Sequence, residues 1–139
     1  MKSFLPEATF AKSWQFPAAS RADLQAYACQ FDKPFWAQFD VTGSTRRIHL
    51  PPYAGGVLIT ETLHEHQPSG YRYTMTGVPN VSDYQGWFSV EADGPHHVRL
   101  TWKITFRYQG GPKALVAVSR VFANTTGTMT KALRQQLTG

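Results

Sequence analysis

Hydrophobic and polar residues alternate along the second half of the chain, as they do in β-strands that bury one face. In residues 97–108 the even-numbered positions from 98 onward are apolar, and the odd-numbered positions between them carry Arg, Lys or Thr. Residues 81–92 show the same alternation from position 84 onward, where Gly86 leaves a gap among the apolar side chains. A short Asp-Gly turn separates the two segments. The pattern therefore predicts an antiparallel hairpin with one apolar face.

Four further segments are predicted strands, because they are rich in β-branched and aromatic residues and end at Pro or Gly. They are residues 8–16, 44–50, 55–66 and 71–77. Residues 18–31 follow the first of them and show apolar residues at helical spacing, with Ser20 as the expected N-cap.

Two parts of the chain complete the expected order of elements. Residues 32–41 are compatible with a second short helix that begins at Pro34 or with an edge strand. From Pro112 to Leu137, apolar residues recur at three- and four-residue steps and predict a long C-terminal helix, which the Asn, Thr and Gly residues of 124–128 could bend. A first strand, two short helices, a series of antiparallel strands and a long helix predict an α+β fold in which a curved sheet covers the final helix.

The order of several residues within these strands matches a known arrangement. Glu61 precedes a Pro turn, Tyr73 lies in the next strand, an Asp-Tyr pair ends at Tyr84 before Gly86 and Phe88, and Val98 precedes Trp102 by four positions. This arrangement resembles the polyketide cyclase/dehydrase branch of the START-related, Bet v 1-like (SRPBCC) superfamily.

The resemblance implies a single domain over residues 1–139 with a helix-grip fold. In that fold a seven-stranded antiparallel sheet wraps round a long C-terminal helix, two short helices follow the first strand, and an apolar cavity is enclosed. Members of the superfamily bind or transport lipids, sterols and polyketides, and a minority catalyse cyclisation or dehydration.

The chain departs from the family pattern at two places. Residues 31–40 are shorter than the tryptophan-rich loop that commonly follows the first helix, and Pro95-His96-His97 replaces a usual Gly-Thr before the last strand. Both departures fall at ends of strands, where we expect the mouth of the cavity.

Composition narrows the range of partners. A chain of 139 residues suits one domain. Its net charge is +5, but the basic residues are scattered and accompany no recognised motif, so we expect no nucleic-acid partner. With no apolar run that would serve as a secretory signal or a membrane span, and Cys29 as the only cysteine, we expect a cytoplasmic protein without membrane insertion or an intramolecular disulfide. The oligomeric state stays open.

Glu61 is the sharpest candidate for a functional residue. Strict alternation places it on the same face as Val57, Ile59 and Leu63, and we therefore expect its side chain on the buried face of the sheet. A buried carboxylate could contact a ligand or act as a general acid or base, because burial raises its pKa. Alternatively, a bulge could turn it outward, or Lys12, Arg46 or a tyrosine hydroxyl could pair with it structurally.

Aromatic side chains supply the other candidates for a ligand site. Tyr71, Tyr73 and Tyr84 each offer an apolar ring with a polar tip, and Tyr73 and Tyr84 are the candidates for catalysis beside Glu61. Core packing is the competing interpretation for each of them. Six further residues on the apolar faces are expected either to line the cavity or to form the core: Trp14, Phe88, Trp102, Phe106, Phe122 and Met129.

The histidines do not indicate a metal site. His64 and His66 are two apart on a predicted strand and are expected on one face, but no third ligand follows at a suitable spacing. Motifs for nucleotide cofactors and for a serine nucleophile are also lacking, so we expect neither a metal nor a cofactor.

These observations favour a protein that binds a hydrophobic small molecule such as a lipid or polyketide between the sheet and the C-terminal helix. One alternative is an aromatase/cyclase or dehydratase that uses Glu61 and one or more of the tyrosines. A third possibility is an interaction module whose cavity has collapsed.

Overall fold

The computed structural model describes residues 5–137 and contains seven strands and two α-helices. The first helix, α1, spans Arg21–Ala28, and the second, α2, spans Pro112–Leu137. The strands in chain order are β1 (Glu7–Pro17), β2 (Asp40–Thr42), β3 (Thr45–His49), β4 (Leu58–Gln67), β5 (Gly70–Thr76), β6 (Val81–Ala92) and β7 (His97–Tyr108).

The strands form one antiparallel sheet in the order β1-β7-β6-β5-β4-β3-β2. Its apolar face covers α2, and the predicted helix-grip fold is confirmed. The helix buries Val118, Met129 and Leu133 in the core, and the indole Nε1 of Trp14 donates a 2.8 Å hydrogen bond to the Thr130 hydroxyl, which fastens β1 to α2. The hydrogen-bonded hairpin of β6 and β7 follows the predicted alternation.

The segment between β1 and β2 differs from the expected pair of short helices. A 3-10 turn at Ala18–Ser20 leads directly into α1, and residues 30–39 form turns and bends instead of a second helix. The edge strand that was the other possibility is present only as the three residues of β2. Ser20 occupies the N-cap of α1, but its side chain makes no capping hydrogen bond because its backbone already has helical angles after the 3-10 turn.

Helix α2 runs without interruption through residues 124–128. The hydroxyls of Thr128 and Thr130 donate hydrogen bonds to the carbonyls one turn earlier, at Asn124 and Thr126. Hydroxyls bonded back to the helix in this way are compatible with helical geometry. No helix among residues 5–137 combines the length and the apolar character that crossing a membrane requires.

Candidate functional site

A cavity of about 290 Å³ lies between α2 and the apolar face of the sheet. Both layers contribute aliphatic and aromatic side chains to its walls. The strands supply Ile48, Ile59, Met75 and Ile104, and the helix supplies Val118 and Phe122. Because most of the lining is apolar, the cavity suits a hydrophobic molecule.

The irregular segment between α1 and β2 closes one side of the cavity with Trp36 and Phe39. The Trp36 ring stacks on Phe88 at a centroid distance of 5.3 Å, and Phe88 stacks on Trp102 at 5.7 Å. Trp102 in turn stacks on Phe122 of α2 at 4.5 Å. These four rings hold the irregular segment, the sheet and the helix together, and three of them line the cavity.

Glu61 reaches the cavity wall while it pairs with Arg46. The two residues are directly opposite each other in the register of β3 and β4, and Arg46 Nε donates a 2.6 Å hydrogen bond to Glu61 Oε1. The Arg46 side chain is completely buried and that of Glu61 is 7% exposed. Of the possible partners that the sequence offers for Glu61, the structure therefore pairs it with Arg46. The carboxylate nevertheless lines the cavity.

The Arg46 guanidinium lies inside a cage of aromatic rings. Its Nη1 donates to the Phe31 carbonyl at 2.8 Å and to the Tyr71 hydroxyl at 3.2 Å, and its Nη2 has no hydrogen-bond partner among the described residues. Ring centroids within 4.2–5.4 Å of its Cζ favour the cation through their negative faces. They belong to Phe31, Trp36, Phe39, Tyr71 and Tyr73.

Burial governs the acid–base behaviour of this region. It raises the pKa of the Glu61 carboxyl, an effect that the Arg46 guanidinium opposes. Burial likewise raises the phenol pKa values of Tyr71, Tyr73 and Tyr84. The three hydroxyls are therefore neutral hydrogen-bonding groups near neutral pH. Tyr73 accepts a 2.9 Å bond from Trp102 Nε1, and its ring packs against that of Tyr84 at a centroid distance of 6.3 Å.

The exposed part of the cavity lining marks its mouth. It consists of the 3-10 turn at Pro52–Ala54 and the facing side of α2. Tyr53 is 44% exposed, and its hydroxyl accepts a 2.7 Å hydrogen bond from Asn124 Nδ2 of the helix. Arg120 lies over the same ring at 5.0 Å. Two glycines with positive φ, Gly55 and Gly56, follow the turn. Tyr53 thus connects the turn to α2 across the mouth.

The structure divides the sequence-derived candidates into two groups. Glu61, Tyr84, Trp102 and Phe122 line the cavity. The other six pack in the core or at its margin, outside the cavity wall: Trp14, Tyr71, Tyr73, Phe88, Phe106 and Met129. Of these, Tyr71 contacts the site indirectly through its hydrogen bond with Arg46, and Tyr73 through its ring contact with Tyr84.

Several lining residues escaped the sequence-based selection. Trp36 and Phe39 lie in a segment without regular structure, so no periodicity assigns them to a face. Tyr53 lies in a Pro- and Gly-rich turn that looks like an ordinary connection. Ile48 shares a face of β3 with Arg46, the partner of Glu61, and their alternation with the exposed Arg47 is the signal that could have placed Ile48 on the inner face of the sheet.

Two expectations are wrong: that His64 and His66 share one face of the sheet, and that residues 95–97 lie at the mouth of the cavity. A register shift between Leu63 and Glu65 sends His64 and His66 in different directions: His64 bonds to Thr74 of β5, whereas His66 bonds to the Cys29 carbonyl and packs against the inward-facing Tyr71. The turn at residues 95–97 bonds to Ala18 and does not contribute to the cavity, unlike residues 31–40.

Solved structures share this architecture at low sequence identity. The protein XoxI from Bacillus cereus matches with a TM-score of 0.72 and 20% identity over 94% of this chain and 95% of its own. Zhui aromatase/cyclase from a Streptomyces species matches with a TM-score of 0.60 and 12% identity over 96% of this chain and 99% of its own. Ara h 8.0201 matches with a TM-score of 0.62 and 13% identity over 96% of this chain and 100% of its own. At these identities the likeness establishes the fold alone.

A search of the curated proteins found no significant match. The family model described as polyketide cyclase/dehydrase and lipid transport, in contrast, matches residues 22–138. That range contains all of α1 except its first residue, and it includes the cavity, the Arg46–Glu61 pair and α2. The chain therefore belongs to the polyketide cyclase/dehydrase and lipid transport family.

Proposed function

We propose that this protein binds a small hydrophobic molecule in the cavity between the sheet and α2. The observation that carries the proposal is the cavity itself, which is lined mostly by apolar side chains and opens at the Tyr53–Asn124 contact. A packed domain interior has few voids larger than a water molecule. An apolar space of about 290 Å³ beneath a helix is therefore well suited to a ligand, and the family's description is consistent with this role.

The volume limits the size of the ligand. Ligand pockets usually span roughly 300–1,000 Å³, and this cavity is at the lower end of that range. A molecule of one to three fused or linked rings, or a short acyl chain, matches it better than a complete sterol or a long-chain lipid. The aromatic surfaces of Trp36, Trp102 and Phe122 favour a ligand with rings of its own.

Binding can be measured with N-phenylnaphthylamine, a neutral dye that fluoresces when it enters an apolar site. We expect saturable binding with one site per chain. Val121→Phe should weaken it at least tenfold, because Val121 lines the cavity. Val116→Phe is the matched control, since it makes the same change on the same helix at a position that is 55% exposed and outside the cavity.

Two results would contradict the proposal. One is an absence of saturable binding by the folded protein to the dye or to any of a panel of one- to three-ring aromatic compounds. The other is an equal loss of dye affinity in Val121→Phe and Val116→Phe, which would indicate binding elsewhere on the surface.

Catalysis is a second candidate function, favoured by the position of Glu61. A carboxylate on the wall of an apolar cavity can accept a proton from a bound ligand, and Tyr84 on the same wall offers a neutral hydroxyl. The test is chromatographic analysis of a poly-β-ketone thioester incubated with the protein and with Glu61→Gln. An enzyme would give cyclised or dehydrated product that the variant does not form.

A further inference from the structure

The buried polar groups of the cavity wall are arranged in one row across the sheet. Glu61 of β4 pairs in register with Met75 of β5, and Met75 pairs with Tyr84 of β6. All three line the cavity. Arg46 extends the row on the far side of Glu61, beneath the aromatic cage. On the buried side of the cavity a ligand thus meets its polar contacts along this line, whereas the other polar lining residues are exposed or half-buried: His49, Tyr53, Asn124, Thr125 and Thr128.

The row has no net charge. Glu61 is the only Asp, Glu, Lys or Arg among the described residues that line the cavity, and the guanidinium of Arg46 neutralises it at 2.6 Å. An anionic ligand at this row would lie beside the Glu61 carboxylate, since Arg46 is not part of the cavity lining and His49, which is, is an exposed residue of β3. A cationic ligand would add a second positive charge beside a guanidinium that is already buried. Both approaches carry an electrostatic cost in a medium of low dielectric constant.

The carboxylate keeps unused capacity to accept hydrogen bonds. Two carboxylate oxygens offer about four acceptor positions. Arg46 Nε occupies one of them and is the hydrogen-bond partner that the described residues supply to Glu61. An apolar ligand that displaces water from the cavity would leave the remaining positions unsatisfied, which is unfavourable. A ligand that carries a donor would satisfy them.

We propose that the cavity selects neutral ligands that carry a hydroxyl group, an alcohol or a phenol, which donates its proton to a hydrogen bond with Glu61. This inference rests on the proposed binding function and specifies its ligand class. The charge balance disfavours carboxylates and amines, and the unused acceptor positions disfavour hydrocarbons that have no donor.

Competition against N-phenylnaphthylamine tests the selection with four ligands of one ring system: naphthol, naphthoate, naphthylmethylammonium and methylnaphthalene. Naphthol should displace the dye at a concentration about tenfold below that of each of the others, the difference that one hydrogen bond to a charged acceptor can supply. Equal or tighter binding of naphthoate, the ammonium or methylnaphthalene would overturn the inference and leave the binding function intact. Failure of the dye and all four ligands would instead refute the binding function.

Two double variants assign the preference to the pair. Arg46→Met with Glu61→Leu removes both charges together and should abolish the advantage of naphthol over methylnaphthalene. Arg72→Met with Glu65→Leu makes the same changes at an ion pair that lies outside the cavity and should retain it. An advantage that persists in the first variant, or that disappears in both, would overturn the role of Glu61. If the first variant does not fold, the order of the four ligands in the unaltered protein decides the question.

Discussion

The ring of Tyr73 lies directly over Gly86, its partner in the register of β5 and β6. The gap that the sequence shows among the apolar residues of β6 is therefore filled by an aromatic ring from the neighbouring strand. The nearest atoms to a Cβ built at Gly86 would be Cζ, Cε1 and the hydroxyl oxygen of Tyr73. This close approach orients the Tyr73 hydroxyl toward Trp102 Nε1.

Gly86→Ala should lower the free energy of unfolding by about 1–3 kcal/mol or more, because the added methyl displaces a buried ring. Chemical denaturation measures the change. Gly127→Ala in α2 is the control, since nothing lies within 4 Å of a Cβ at that exposed helical position. The control should raise the unfolding free energy by up to about 1 kcal/mol. Similar effects at the two sites would contradict the close contact with Tyr73.

Arg46→Met should destabilise the protein by about 3–5 kcal/mol, because it leaves the Glu61 carboxylate buried without its partner. Adding Glu61→Leu should recover most of this loss, since the charge is then removed as well. Arg72→Met, at a partly exposed ion pair with Glu65, should cost under about 1 kcal/mol. Denaturant titration of all three proteins compares these values. If the second substitution adds to the loss, the buried pair does not act as a unit.

Stability should fall on the alkaline side. Burial raises the pKa of the Cys29 thiol from 9.0 to about 11 and raises those of Tyr71, Tyr73 and Tyr84 above 10.0. The native state therefore retains these protons while the unfolded chain loses them. The contribution of these groups to the free energy of unfolding is complete below about pH 9. As the pH rises further, each group lowers the free energy of unfolding by about 1.4 kcal/mol per pH unit.

This alkaline loss can be followed by denaturation at several pH values together with the absorbance of ionised tyrosine. The three buried tyrosines should ionise only as the protein unfolds. Cys29, which is 1% exposed, should resist alkylation in the native state at pH 8 and react after denaturation. Ionisation of all tyrosines without loss of structure would contradict the prediction.

Tyr53→Phe should accelerate exchange of a ligand through the mouth. The substitution keeps the ring beneath Arg120 and removes the hydroxyl that accepts the bond from Asn124. Stopped-flow mixing with N-phenylnaphthylamine should give dissociation several times faster than in the unaltered protein. Tyr108→Phe, which removes a phenol hydroxyl outside the cavity, is the matched control. Unchanged dissociation in Tyr53→Phe would mean that ligands use another route.

Much of the fold could be predicted from the sequence, because its strongest patterns are local. The alternation of β6 and β7 and the apolar stripe of α2 depend only on which face of an element is buried, and α2 ends at the predicted residues. Alternation likewise placed the side chain of Glu61 on the buried face of the sheet. The prediction of a second short helix was wrong, because aromatic contacts with the sheet fix the conformation of residues 30–39 and no helical periodicity does so.

The sequence by itself determined the helix-grip order of elements and the set of side chains that could meet beneath α2. Only the tertiary structure decided which of them meet. The register of β3 against β4 selected Arg46 from three possible partners of Glu61, and the shift after Leu63 turned His66 toward Cys29. Tertiary packing also separated the four candidates on the cavity wall from the six in the core or at its margin. The reason is that strand register and ring packing depend on residues far apart in the chain, whereas periodicity reports only on neighbours.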